Sequence, residues 1–356
     1  MGTWKHLLFF TSMVKYLAIK SVFCGDSASE WSYSDISDWR NKMPQCGGTR
    51  QSPVDINDNE AITVKKHTEL HFNDYNTSIN VVLKNNGKTV KMDPVSAHNV
   101  TVEAQGIYLQ GKFTLEEVHF HWGNTMSMGS EHKVNGKSSS MEVHLVHYNL
   151  KYLDFKTARN KHNGILVLSV LVEVSSTRSS FNSIWKDIVY KLAVVKNPDT
   201  ETNYGSLWFQ HFLPKNVRDF YSYQGSFTTP PCLETVTWVV FKDKLLIPEE
   251  YLIYFTDLQT VVNKTLKERI TSNIRPGQPL NSRIVLKTFN STEPQQLGVQ
   301  IYTTERIVGD NKVIVFFKFY QCHLPLSASI FLIIPSLDIS WKRSNLTSDL
   351  ENIEIL

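Results

Sequence analysis

The run 117-EVHFHWGN-124 decides how this chain is read. Along a strand, residues two apart share a face. His119 and His121 therefore project side by side, and Phe120 points the other way, towards a core. A core strand does not accept two imidazoles unless something satisfies their ring nitrogens. A second strand-like run, 141-MEVHLVHY-148, places His144 on one face with Glu142 and Val146. His147 falls on the opposite face and reads as structural.

Working outward, most segments carry strand chemistry. The runs 79-INVVL-83, 165-ILVLSVLVEV-174 and 235-TVTWVVF-241 are β-branched or aromatic, and turn signals such as 85-NNG-87 and 135-NG-136 punctuate the chain. Helical spacing predicts helices over 181–192 and 257–270, with Ser180 and Thr256-Asp257 supplying cap chemistry. Strands dominate, and they follow one another without long helical crossovers. The expected fold is α+β and strand-dominated, a large twisted, mostly antiparallel central β-sheet with peripheral helices.

The 356 residues suffice for one large domain, and a 41% hydrophobic content supports a sizeable core. A net charge of +3 with no Lys/Arg block argues against a nucleic-acid partner. None of the four cysteines forms a C-x-x-C pair, which disfavours a cysteine-based zinc site. N-x-S/T triplets at Asn76, Asn99, Asn263, Asn290 and Asn345 are glycosylation candidates and lean towards the secretory route. Residues 1–24 read as a signal peptide, although Lys15 and Lys20 interrupt the apolar run, and Cys24 lies near its expected cleavage point. The domain proper spans 28–290, with no linker or repeat inside it.

A C-terminal extension, 291–356, differs in character. Its run 313–339 is long and apolar but contains Lys318, His323, Pro325 and Pro335. A spanning helix needs about 20 mainly apolar residues. Membrane attachment, a disordered extension and a partner-binding segment all stay open for it. The polar run 342–356 argues against a lipid-anchor signal.

If the strands bearing His119, His121 and His144 pair, three imidazoles converge. Three neutral nitrogens with a fourth position open is the arrangement of a catalytic zinc site. An H-x-H pair alone also fits two hydrogen-bonded histidines. The carboxylates Glu117, Glu131 and Glu142 nearby favour the metal reading, because a metal-bound histidine donates its second N–H to a carboxylate or carbonyl.

The chain resembles an alpha-class carbonic anhydrase, of the secreted type. The matching runs are 51-QSPVDI-56, 85-NNGK-88, 119-HFHWG-123, 130-SEH-132, 142-EVHLVHYN-149, 225-GSFTTPP-231 and 275-RPGQPLNSR-283, in the family's order from about Trp31 to Phe289. The resemblance implies Zn²⁺ on His119, His121 and His144, and reversible hydration of carbon dioxide to bicarbonate and a proton by a zinc-bound hydroxide. It makes Thr228 the hydroxyl that orients this nucleophile and Glu131 the acceptor of the Thr228 proton. Glu117 and Glu142 would orient His119 and His144. Val146, Val167, Phe227, Val236 and Trp238 would wall the pocket, with Thr229 contacting bicarbonate. Cys46 and Cys232 would form the disulfide of extracellular members.

Three positions depart from the family pattern, and two of them, Lys88 and Phe227, bear on rate. Glu117 stands where the family more often has an amide, which implies a modest upward shift in the pKa of the zinc-bound water. Lys88 stands where fast members carry a proton-ferrying histidine. An unperturbed lysine, with a pKa of about 10.4, is already protonated at pH 7. Tyr33 matches a position that orders the water path. Phe227 replaces a common leucine and narrows the pocket. An active enzyme with slow proton transfer is expected. The alternative is a non-catalytic carbonic anhydrase-related binding module, against which the retained histidines, Glu131 and Thr228 argue.

Overall fold

The computed structural model describes residues 31–64, 69–95, 100–106, 108–175, 184–262 and 266–290 with their side chains, and the backbone of 300–307 and 313–320. Ten strands form the spine of one sheet. They are β1 (Ile62–Thr63), β2 (Ile79–Asn85), β3 (Val90–Pro94), β4 (Gln110–Trp122), β5 (Met141–Asn149), β6 (Ile165–Ser175), β7 (Thr200–Leu207), β8 (Phe220–Gly225), β9 (Val236–Phe241) and β10 (Leu286–Lys287). Their order is β7–β2–β3–β4–β5–β6–β9–β8–β10–β1, and three more strands join off this path. Most pairs are antiparallel, as the alternating patterns imply. The pairs β6–β9 and β10–β1 run parallel, as does the pairing of β6 with Leu245–Pro248.

The central strands are covered on both faces. One face of β4, β5 and β6 supplies Phe120, Val143, Leu145, Leu168 and Val170 to the larger core. The other supplies Val146, Ile165 and Val167 to a second, smaller core. The helix α1 (Ile184–Leu192) and the short α2 (Leu252–Thr256) close the larger core. Trp185 and Phe255 pack their rings 6.3 and 5.6 Å from that of Phe120. Phe120 thus anchors the strand from the face opposite its histidine neighbours.

A bulge in β4 sets that phase. Before it, Phe113 and Leu115 point into the larger core; after it, Val118, Phe120 and Trp122 do. The pairing with β5 shifts between Leu115 and Glu117, leaving Glu116 as the extra residue. One inserted residue exchanges the two faces of everything that follows. His119 and His121 consequently lie off the larger core.

The helix expected over 257–270 does not form. α2 ends at Thr256, and Gln259–Val262 pairs antiparallel with Leu266–Arg269. Thr260, Val261 and Val262 are β-branched, which favours extended backbone. Asp257, the expected cap, instead pairs with Lys196 and with Arg269, whose Nε lies 3.0 Å away. The Lys196 contact comes from elsewhere in the chain, and with the local hairpin it overrides the helical spacing. The helix expected over 181–192 is present from Ile184, and 181–183 lie outside the described residues.

The disulfide Cys46–Cys232 is formed and links segments 186 residues apart. Asn76 and Asn290 are exposed. The expected signal, Asn99, Asn263, Asn345, Cys24 and Cys322 lie outside the described residues. Of the C-terminal apolar run, Val313–Tyr320 is a strand paired with Gln300–Ile307. Among the described residues, no helix is long and apolar enough to cross a membrane.

Candidate metal centre

β4 and β5 pair with His119 directly opposite His144 and His121 opposite Glu142. The imidazole rings stand 5.1 Å apart for His119–His144 and for His119–His121, and 4.5 Å for His121–His144. Each ring has one nitrogen engaged outward. His119 Nδ1 donates to Glu117 Oε1 at 3.0 Å, His121 Nδ1 to the Asn273 carbonyl at 2.8 Å, and His144 Nε2 to Glu142 Oε1 at 2.6 Å. These bonds set the tautomers, so the remaining nitrogens carry lone pairs.

Those remaining nitrogens face one another. The three histidines offer ligand atoms within 4.8 Å of each other, and His119 Nε2 and His144 Nδ1 are 3.2 Å apart. His121 Nε2 is buried without a hydrogen-bond partner. Lone pairs gathered in a buried space repel unless a cation sits among them. Tetrahedral Zn–N bonds of about 2.0–2.1 Å put nitrogens about 3.3 Å apart, and the His119–His144 spacing fits that figure. Burial also disfavours the charged imidazolium. It holds His144 down to about 4 despite the opposing pull of Glu142, and drives His121 well below its ordinary value. Neutral imidazoles are the form that binds metals.

The supporting carboxylates are tuned by their neighbours. Burial pushes Glu142 up, but His132 and His144 outweigh it and hold the carboxyl well below its ordinary value. Burial likewise pushes Glu117 up, and the hydrogen bond from His119 together with the Lys91 ammonium brings it down to about 2.

Glu131 is buried beside the triad, its Oε2 3.5 Å from His121 Nε2. Its Oε1 accepts the Arg275 backbone N–H at 2.8 Å. Oε2 has no hydrogen-bond partner, although the buried Thr228 hydroxyl is near enough to favour its charged form. Burial and the Glu142 charge win, and raise the Glu131 carboxyl well above its ordinary value. The turn carrying Thr228 is pinned at Phe227, whose N–H donates to Leu233 O at 3.1 Å, and at Thr229, whose carbonyl accepts the Cys232 N–H at 2.9 Å. Gly225 opens this turn, where a Cβ would lie 2.1 Å from Ser52 Oγ.

Val146, Val167, Val236 and Trp238 are buried in the smaller core, and Phe227 packs against it. Val167 lies opposite Val146 on one side and Trp238 on the other. The Trp238 ring stands 4.8 Å from that of His144, which brings the apolar wall to the imidazoles. Tyr33 is close enough to feel Glu131: burial first, and then that carboxylate, raise its hydroxyl well above the ordinary value. The Lys88 ammonium sits 5.1 Å over the Trp31 ring, and the Lys88 carbonyl accepts from the Asn273 side chain.

Sequence reading missed four participants. Asn273 anchors His121 through its carbonyl while its side chain accepts the Trp122 N–H at 2.8 Å. Arg275 holds Glu131 through its backbone N–H. His132 bridges Glu142 and the Tyr223 hydroxyl, at 2.7 Å to each. Lys91 reaches Glu117 at 3.1 Å. Only His132 and Arg275 sat inside runs already singled out; nothing local marks Asn273 or Lys91.

The family described as eukaryotic-type carbonic anhydrase matches residues 34–289. Carbonic anhydrase 6 of Mus musculus is 32% identical over 286 residues, covering 77% of this chain and 86% of that protein. Carbonic anhydrase 12 of Homo sapiens is 34% identical over 276 residues, covering 75% of each. Carbonic anhydrase 7 of Mus musculus is 33% identical over 265 residues, covering 73% of this chain and 98% of that protein.

Proposed function

The chain belongs to the eukaryotic-type carbonic anhydrase family, and from that premise we propose that it hydrates carbon dioxide reversibly to bicarbonate and a proton, with Zn²⁺ held by His119, His121 and His144. One observation carries this reading: three inward-facing ring nitrogens within 4.8 Å, each on an imidazole whose other nitrogen is hydrogen-bonded.

Bound there, zinc supplies a Lewis acid that lowers the pKa of water from about 15.7 to about 7, a figure already established for carbonic anhydrases as a class. The protein does the positioning. Glu117, Glu142 and the Asn273 carbonyl hold the imidazoles in the donor tautomer. The Thr228 hydroxyl would accept a hydrogen bond from a metal-bound nucleophile while donating one to Glu131, a double role open to any hydroxyl. A nearby divalent charge favours the Glu131 carboxylate, opposing the rise that burial causes. Val146, Val167, Val236, Trp238 and Phe227 offer carbon dioxide an apolar wall, and Thr229 a polar contact for bicarbonate. Lys88 is a poor proton acceptor at neutral pH, so product protons leave slowly, along waters near Tyr33.

The functional unit is 28–290. The Cys46–Cys232 bridge favours an oxidising, extracellular setting, and the exposed Asn76 and Asn290 suit glycosylation there. Attachment to a membrane through 291–356 is the lesser option for location.

The test is stopped-flow carbon dioxide hydration on purified protein, with zinc assayed on the same sample and buffer concentration varied. One zinc per chain, with turnover that climbs as imidazole is added, is the expected result. Zinc bound without hydration at any buffer concentration would replace this reading with a binding module whose pocket Phe227 blocks.

A further inference from the structure

Lys91 lies on β3 directly opposite His119 on β4. Its ammonium stands 3.1 Å from Glu117 Oε2 and 3.0 Å from Asp93 Oδ2. The other oxygen of Glu117 is the one that accepts from His119, at 3.0 Å. The Glu117 carboxylate is therefore clamped at both oxygens, between a cation and a candidate ligand.

Removing the Lys91 charge has two opposed consequences. If Glu117 stayed in place, its unneutralised charge would strengthen His119 as a donor to metal. If Glu117 moved, His119 would lose its orientation. The surroundings decide between them. Glu116, the extra residue of the bulge, has a carboxyl raised by burial first and then by the charges of Glu117 and Asp93. Glu117 and Asp93 thus share one ammonium, with Glu116 next to Glu117 in the chain. The Glu117 side chain is 25% exposed, so water offers it an alternative partner. Without Lys91, repulsion and hydration both draw Glu117 outwards, away from Nδ1.

We propose that Lys91 is a positioning residue that holds Glu117 against His119 and so slows release of the metal ion. The proposal rests on the zinc reading above. It concerns how long the ion stays, not the chemistry it performs.

The experiment measures zinc release from the purified full chain into a chromophoric chelator. It compares wild type with Lys91→Met, Lys91→Arg, Glu117→Gln and the Lys91→Met/Glu117→Gln pair. Circular dichroism confirms that each variant is folded. Removing an outer partner of a metal-bound histidine costs about 10–100-fold in affinity, and Lys91 acts one step further out, so Lys91→Met is expected to release zinc about 3- to 10-fold faster. Lys91→Arg keeps the charge and is expected to restore slow release. In the Glu117→Gln background, Lys91→Met is expected to add nothing, because a neutral amide is neither repelled nor in need of neutralisation.

Unchanged or slower release from Lys91→Met would overturn the proposal. Equal acceleration in both backgrounds would also overturn it, because Lys91 would then not act through Glu117. A wild-type chain that takes up no zinc would overturn the metal reading itself, and this inference with it.

Discussion

Glu142 Oε1 lies 2.6 Å from His144 Nε2. The same carboxylate accepts the His132 backbone N–H at 2.7 Å and the Ser169 hydroxyl at 2.7 Å. It therefore orients a candidate ligand and satisfies several buried donors at once. Glu142→Ala is expected to lower zinc affinity about 10- to 100-fold. Each donor left stranded adds about 1–3 kcal/mol of lost stability. Chelator competition and denaturant unfolding read the two effects separately. Loss of stability at full zinc affinity would show that Glu142 serves the core alone.

Lys88→His places a group with an ordinary pKa of about 6.5 where the ammonium now sits over Trp31. Turnover in weak buffer is expected to rise roughly tenfold or more, within the span of general acid–base effects. The gap between variant and wild type should close as imidazole is added. Turnover that does not change in weak buffer would mean another group already carries the proton.

The Cys46–Cys232 bridge closes 186 residues and ties an N-terminal turn to the loop after Thr228. Cys46→Ser/Cys232→Ser is expected to cost about 5 kcal/mol on the loop-entropy account. The shift of the urea midpoint measures it. A midpoint that stays put would assign the bridge no role in stability.

His147 is buried, with its Nε2 2.5 Å from the Tyr75 hydroxyl. Burial depresses its pKa from 6.5 to about 3, against a smaller opposite pull from the Leu166 and Leu145 backbone. In that window the unfolded chain holds the extra proton. The stability associated with neutral His147 is therefore complete above about 6.5 and lost as pH falls towards about 3. His147→Gln cannot titrate, so its stability should fall less steeply with acidification, by at most about 1.4 kcal/mol per pH unit. Parallel stability-versus-pH curves for the two proteins would refute the assignment.

Much of the site was legible because strand alternation is local. His119 and His121 sit two apart, so their shared face followed from the sequence, as did the apolar faces of 141–148 and 165–174. The helix misread over 257–270 shows where local pattern fails. Its three- and four-residue spacing is real, but Asp257 pairs with Lys196 and Arg269, and the β-branched residues after it pair with Leu266–Glu268 as a hairpin. Lys91 and Asn273 carried no local signal at all. Their roles arise from a strand register and from a loop that returns to the site.

By itself, the sequence determined the strand-rich class, the pairing of two imidazoles on one face, and the residue types that a metal site would need. The sequence also turned Phe120 towards a core; tertiary structure alone placed the bulge at Glu116 that exchanges core and site sides midway along β4. It also decided which atoms turn inwards. His121 presents Nε2 because a carbonyl 152 residues away takes its Nδ1–H, and His144 presents Nδ1 because Glu142 takes Nε2–H. Side-chain alternation is a property of neighbouring residues. Tautomer and aim are properties of partners that only folding brings within hydrogen-bond reach.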